Sequence, residues 1–195
     1  MKKLFLLLAA SAVVLLLSCD PVNKDNPDLP ENYDIEFVAN EVEALAIPPL
    51  AAGWLLDIET DYHILTLNMS DNGYDSFGME KPNSTYFIVG FFYDVPDDGS
   101  DVITVADGTY EYVPGGVAAG NIVIEICSYT KTGEALGDGD VEYLEDLYYT
   151  DAALTVSSEG DSQKFDFVAT LEDGRTVHAV YTGNVYFDEV DIPAM

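Results

Sequence analysis

This 195-residue sequence predicts an all-β domain, an antiparallel β-sandwich or an up-and-down barrel of about eight to ten strands. Three observations support that fold class. After residue 34, most apolar stretches alternate with a period of two, which is the spacing of a half-buried strand. Clusters of Gly, Asp and Pro punctuate those stretches at short intervals, as hairpin turns require. No strand–helix–strand rhythm runs through the chain, which argues against a parallel sheet with helical crossovers.

Ile35–Ala39 opens the domain as a first strand. Asn40–Ile47 has the composition of a helix, rich in Ala, Glu and Leu, and Pro48-Pro49 would stop it early. Ala52–Asp57 and Asp61–Met69 read as a hairpin around Glu59-Thr60. Thr85–Tyr93 is apolar and aromatic on both faces, the pattern of a central strand covered on both sides. Gly108–Val113, Ile122–Tyr129 and Ala152–Ser157 follow as strands, and Val141–Tyr149 reads either as a helical turn or as an edge strand. The clearest segment is 163–171, where Phe165, Phe167, Ala169 and Leu171 share one face. Asp173-Gly174 then supplies the positive φ of a tight turn, and Thr176–Tyr181 returns with Val177, Ala179 and Tyr181 aligned. Val185–Phe187 closes the set.

Two segments precede this domain, which spans residues 35–195. Residues 1–18 have a positive head, Lys2-Lys3, followed by an apolar run from Leu4 to Leu17 broken only by Ser11. That is the layout of a secretory signal, and the run is short for a membrane span of about 20 residues. It ends in Leu16-Leu17-Ser18-Cys19, which resembles the bacterial lipobox. The resemblance implies cleavage before Cys19 and acylation of that residue. The plainer alternative is a secreted protein cut nearby, with Cys19 left as a thiol. Acyl burial is worth about 0.8 kcal/mol per CH₂ and one chain anchors only reversibly, so two or three chains on one residue would anchor firmly. Residues 19–34, with Pro21, Pro27 and Pro30 among several acids, read as a tether. Extended, about 15 residues reach on the order of 50 Å. An acidic stretch after the acylated Cys resembles the export signal of Bacteroidetes surface lipoproteins, which implies the outer membrane and the cell exterior.

Charge excludes whole classes of partner. The formal charge is −29, and loss of the two leader lysines on processing takes it to −31. Nucleic acid is ruled out, because phosphate binding needs a basic surface, and anionic lipid headgroups are poor partners for the same reason. Solubility and mutual repulsion at a crowded surface account for most of the charge. With Cys19 acylated, Cys127 has no disulfide partner and reads as a small buried hydrophobe.

A wider resemblance rests on Asp107-Gly108-Thr109-Tyr110, Ala153-Leu154-Thr155-Val156 and the hairpin ending Val180-Tyr181-Thr182-Gly183. This progression, over residues 50–187, is similar to small Bacteroidetes-type surface lipoproteins whose domains are calycin-like barrels or β-sandwiches of unknown function. The resemblance implies fold and compartment and brings no catalytic residue with it.

The search for chemistry is mostly negative. There is no Gly-x-Ser-x-Gly elbow, and His63 and His178 are the only histidines. They lie far apart in sequence without a Cys cluster, which disfavours zinc. Calcium has weak candidates in Asp138, Asp140 and Glu142, and in Asp97, Asp98 and Asp101. Neither loop keeps EF-hand spacing: Tyr143 stands where the invariant Gly belongs in the first, and the second lacks the twelfth-position Glu. With 36 acidic residues some carboxylate pair will meet a glycosidase spacing by chance, so that criterion decides nothing. Aromatics remain. Tyr110 and Tyr112 share a strand face, and Tyr143, Tyr148 and Tyr149 cluster, so these five are candidates for stacking on a ligand, with core packing as the ordinary alternative.

The reading that follows is a lipid-anchored, non-catalytic cell-surface β domain that binds a glycan, a protein or an envelope component. The alternative is a calycin-like barrel carrying a small apolar ligand. A hydrolase acting on polysaccharide or peptide ranks third. No cofactor is required.

Overall fold

The computed structural model describes residues 32–76, 78–95, 102–137 and 139–189, the last four of these by backbone alone. The leader, Cys19 and the tether up to residue 31 lie outside the described residues, as do Asp97, Asp98, Asp101 and Asp138. The domain is all-β, as the alternation predicts. Its strands are β1 (Ile35–Val38), β2 (Glu41–Ile47), β3 (His63–Ser70), β4 (Thr85–Tyr93), β5 (Val102–Ile103), β6 (Gly108–Tyr112), β7 (Asn121–Ile122), β8 (Ser128–Ala135), β9 (Val141–Glu159), β10 (Ser162–Leu171), β11 (Thr176–Gly183) and β12 (Val185–Glu189). The α-helix α1 (Pro49–Leu55) lies between β2 and β3.

The strands form one continuous path in the order β1-β11-β10-β9-β6-β7-β4-β3-β2-β12-β5. Off that path, β8 pairs with both β4 and β9. Since β9 pairs with β6, β6 with β7 and β7 with β4, these five strands close into a ring. The long strand β9 makes the closure possible. Its first half pairs with β8 and its second half with β6 and β10, and between them the register on β10 skips Thr150. An extra residue at that point bends the strand from one partner to the next.

Aromatic side chains pack the core. Phe91 and Tyr110 pack at a tilt with ring centres 4.6 Å apart, the Phe87 ring centre lies 5.1 Å from that of Tyr129, and Tyr149 meets Phe167 edge-on at 5.3 Å. These belong to one core cluster with Leu154, Val156 and Phe165. The same cluster takes in Leu65 and Leu67 of β3 and Val177 and Ala179 of β11, so the ring and the outer strands share one core.

Several expectations are corrected. The segment expected as helix, Asn40–Ile47, carries strand β2 from Glu41, because tertiary pairing with β3 overrides helix composition and Val42, Ala44 and Ala46 alternate into the core. Ala52–Asp57 belongs to α1 and its end: Pro49 sits at the first helical position and starts the helix instead of stopping one. Ile122–Tyr129 is broken by a 3₁₀ turn at Ile124–Ile126. Val141–Tyr149 is strand, the first half of β9, and not a helical turn. Among the described residues there are twelve strands, since the two-residue pieces β5 and β7 carry no readable alternation. Pairing is not wholly antiparallel: β1 with β11, β2 with β12 and β6 with β7 run parallel. The first two of these join segments far apart in the chain, so no single helical crossover is needed.

Candidate functional site

The groove beside α1 is built by three short-range devices. Pro48, extended at φ −67° and ψ 157°, leads into Pro49, whose fixed φ is already helical. Ala51 and Ala52 turn inward, with Ala52 joining Ile64, Phe92 and Val123 in a small second core. Past the helix, the Leu56 and Ile58 amides both donate to the Ala52 carbonyl, at 3.1 and 3.2 Å. The longer of those bonds demands a left-handed residue between them, and Asp57 takes it at φ +56°. Ile58 then packs against the same small core, the apolar contact expected of this kind of helix end. Thr60 Oγ1 accepts from the Tyr62 amide at 3.0 Å and orders the turn into β3.

The result is an open groove of about 730 Å³. Pro49, Leu50, Trp54 and Tyr62 give it apolar and aromatic walls, Val117 closes it from the loop between β6 and β7, and Asp57, Glu59 and Asp61 supply its carboxylates. Trp54 is 58% exposed and Leu50 62%, unusual for side chains of this size on a short helix with an inward face available. No Lys or Arg lies between Lys24 and Lys81, and among the described residues no basic side chain lines the groove. The arrangement offers a flat apolar surface for stacking and acceptors for hydroxyl or amino hydrogens. Thr60 and Tyr62 add hydroxyl groups to the carboxylates in the same lining.

The sequence-predicted residues fall elsewhere. Tyr110 and Tyr149 are core residues, 7% and 4% exposed, and their hydroxyls donate to the carbonyls of Ala106 at 2.8 Å and Ser128 at 2.6 Å. Burial pushes the Tyr110 hydroxyl up to about 12 and that of Tyr149 well above its ordinary value. Neither is available to a ligand, because the face that Tyr110 and Tyr112 share is the inner one; Tyr112 is half-buried against the same core. Tyr143 and Tyr148 are exposed on β9, away from the groove lining. The Tyr143 hydroxyl donates to Glu80 at 2.6 Å, and that bond raises it to about 12. Asp140 and Glu142 form no metal cluster: among the described residues no group of three or more His, Cys, Asp or Glu could hold an ion.

Cys127 is fully buried, accepts from the Gly90 amide at 3.2 Å and donates to the Val123 carbonyl at 3.1 Å. Burial pushes its thiol up to about 12, which leaves it unreactive. On the outer face of the β10–β11 hairpin, His178 Nε2 stands 3.0 Å from Asp166, Lys164 lies 3.4 Å from the same carboxylate, and the Tyr33 ring stacks on the imidazole at 4.9 Å. Burial would raise Asp166, but the hydrogen bond and charge of His178 and the nearby Lys164 outweigh it and hold the carboxyl below its usual range. This pair escaped the sequence reading, although strand alternation already puts Asp166 and His178 on one face of one hairpin.

No protein-family model, curated protein or solved structure matches the chain. No helix among the described residues is long and apolar enough to cross a membrane.

Proposed function

We propose that this chain is a lipid-anchored, non-catalytic domain displayed on the outer membrane and facing the cell exterior, where the groove beside α1 binds a glycan. The observation that carries the binding claim is the exposed indole of Trp54 in an open groove edged by Asp57, Glu59 and Asp61. A sugar ring has an apolar face of C–H groups that stacks on an indole, and hydroxyls around its edge that donate to carboxylates. The groove matches both features and is open enough for a chain of rings to run through it. Lipid attachment at Cys19 rests on the Leu16-Leu17-Ser18-Cys19 stretch and the acidic segment behind it.

A glycan array probed with the acylated chain in detergent micelles tests the reading. Retention of particular oligosaccharides by the wild type, and their loss with Trp54→Ala, is the expected result. An array with no retained sugar, or one unchanged by that substitution, would remove the proposal.

A further inference from the structure

We infer that the groove favours sugars bearing a free amine over their acetylated or acidic counterparts, an inference that rests on the glycan reading above. The groove brings three carboxylates, Asp57, Glu59 and Asp61, to the edge of an indole, and no cation lines it. The Lys and Arg residues of the described domain are Lys81, Lys131, Lys164 and Arg175. Lys81 donates to the Asn72 carbonyl at 2.6 Å, Lys164 faces Asp166, and Arg175 bridges Glu145 and Asp173. None of the four lines the groove, so among the described residues its negative charge has no counter-ion there.

A neutral sugar would use the carboxylates only as hydrogen-bond acceptors. An ammonium group on the ring edge adds charge attraction to the same acceptors and attraction to the indole face. The formal charge of −29 enriches cations near the whole surface and speeds their arrival. An acidic sugar meets repulsion from each of these sources. Taking one exposed ion pair and one exposed cation–π contact together, the advantage of the amine over its acetylated analogue is about three- to thirty-fold in affinity.

The occupant this points to is an oligosaccharide of amino sugars, and its chemistry can be separated from mere polycation adsorption. The full acylated chain in non-ionic detergent is titrated with glucosamine oligomers and with N-acetylglucosamine oligomers of equal length, following the emission of Trp54, the one tryptophan in the chain. Tighter binding of the amine form, weakening with added salt, is expected. In the variant carrying Asp57→Asn, Glu59→Gln and Asp61→Asn, the ratio of the two affinities should collapse towards one. Equal affinities in the wild type overturn the amine preference while the glycan reading stands. A preference that survives in the triple variant traces to the overall charge and also overturns it. If neither oligomer binds but other sugars do, the preference falls alone; if no sugar binds, both readings fall.

Discussion

Replacing Gln163 by Leu should destabilise the domain by about 2–4 kcal/mol. Gln163 is 8% exposed on β10, and its amide lies against the backbone of Val105, itself fully buried. The side-chain Oε1 accepts from the Val105 amide at 2.9 Å, and Nε2 donates to the Val105 carbonyl at 2.6 Å. The glutamine thus mimics a neighbouring strand for a residue that belongs to no strand. Leucine keeps the bulk and removes both bonds, which strands one donor and one acceptor. An unsatisfied buried polar group costs about 1–3 kcal/mol, and two of them about twice that before the loop relaxes towards water. Partial relaxation brings the total to the range given. Urea unfolding monitored by circular dichroism measures it, with an unchanged denaturant slope showing that the native fold persists. A loss under about 0.5 kcal/mol, the level of an ordinary surface change, would mean that the two bonds to Val105 contribute nothing measurable.

Other outcomes follow from the same geometry. Cys127 should resist alkylation in the native state and react at the rate of global unfolding, because its thiol is buried, hydrogen-bonded and pushed up to about 12; rapid native labelling would contradict that burial. Asp166 is held below the ordinary carboxylate range, so its contribution to stability is present above about pH 4 and lost as the pH falls through its folded value. The stability gap between wild type and Asp166→Asn should therefore narrow in acid, and a gap independent of pH would show that the His178 and Lys164 contacts do not favour the charged form. Radiolabelled palmitate should label the wild type and not Cys19→Ala; equal labelling of both would end the anchor proposal.

The parts of the fold that were legible in sequence are those where local chemistry and tertiary packing agree. The β10–β11 hairpin carries Phe165, Phe167, Ala169 and Leu171 inward on one strand, and Gly174 turns at φ +88° where Asp-Gly announces it. Strand β4 spans Thr85–Tyr93 as its two-sided apolar pattern requires. The misread parts are those where local preference and tertiary demand diverge. Glu41–Ile47 is helical by composition but alternates Val42, Ala44 and Ala46 into a sheet core, and the period was the better guide. At 48–57 the order is reversed: two prolines mark a beginning, not an end. The groove follows from that reversal. With Ala52–Asp57 taken as a strand, Trp54 has no reason to stand exposed; with α1 in place, inward Ala51 and Ala52 leave it on the outer side. Tyrosine clusters misled for a related reason, since alternation groups Tyr110 and Tyr112 on a face without telling which face is inside.

Trp54 also provides the readout for the groove itself, because its emission is free of any other indole. An oligosaccharide retained by the acylated chain, titrated while exciting only tryptophan, should shift that emission to shorter wavelength in a saturable way as the ring displaces water from the indole. Saturable sugar binding with an unchanged Trp54 spectrum would place the sugar elsewhere on the domain and contradict the assignment of the groove.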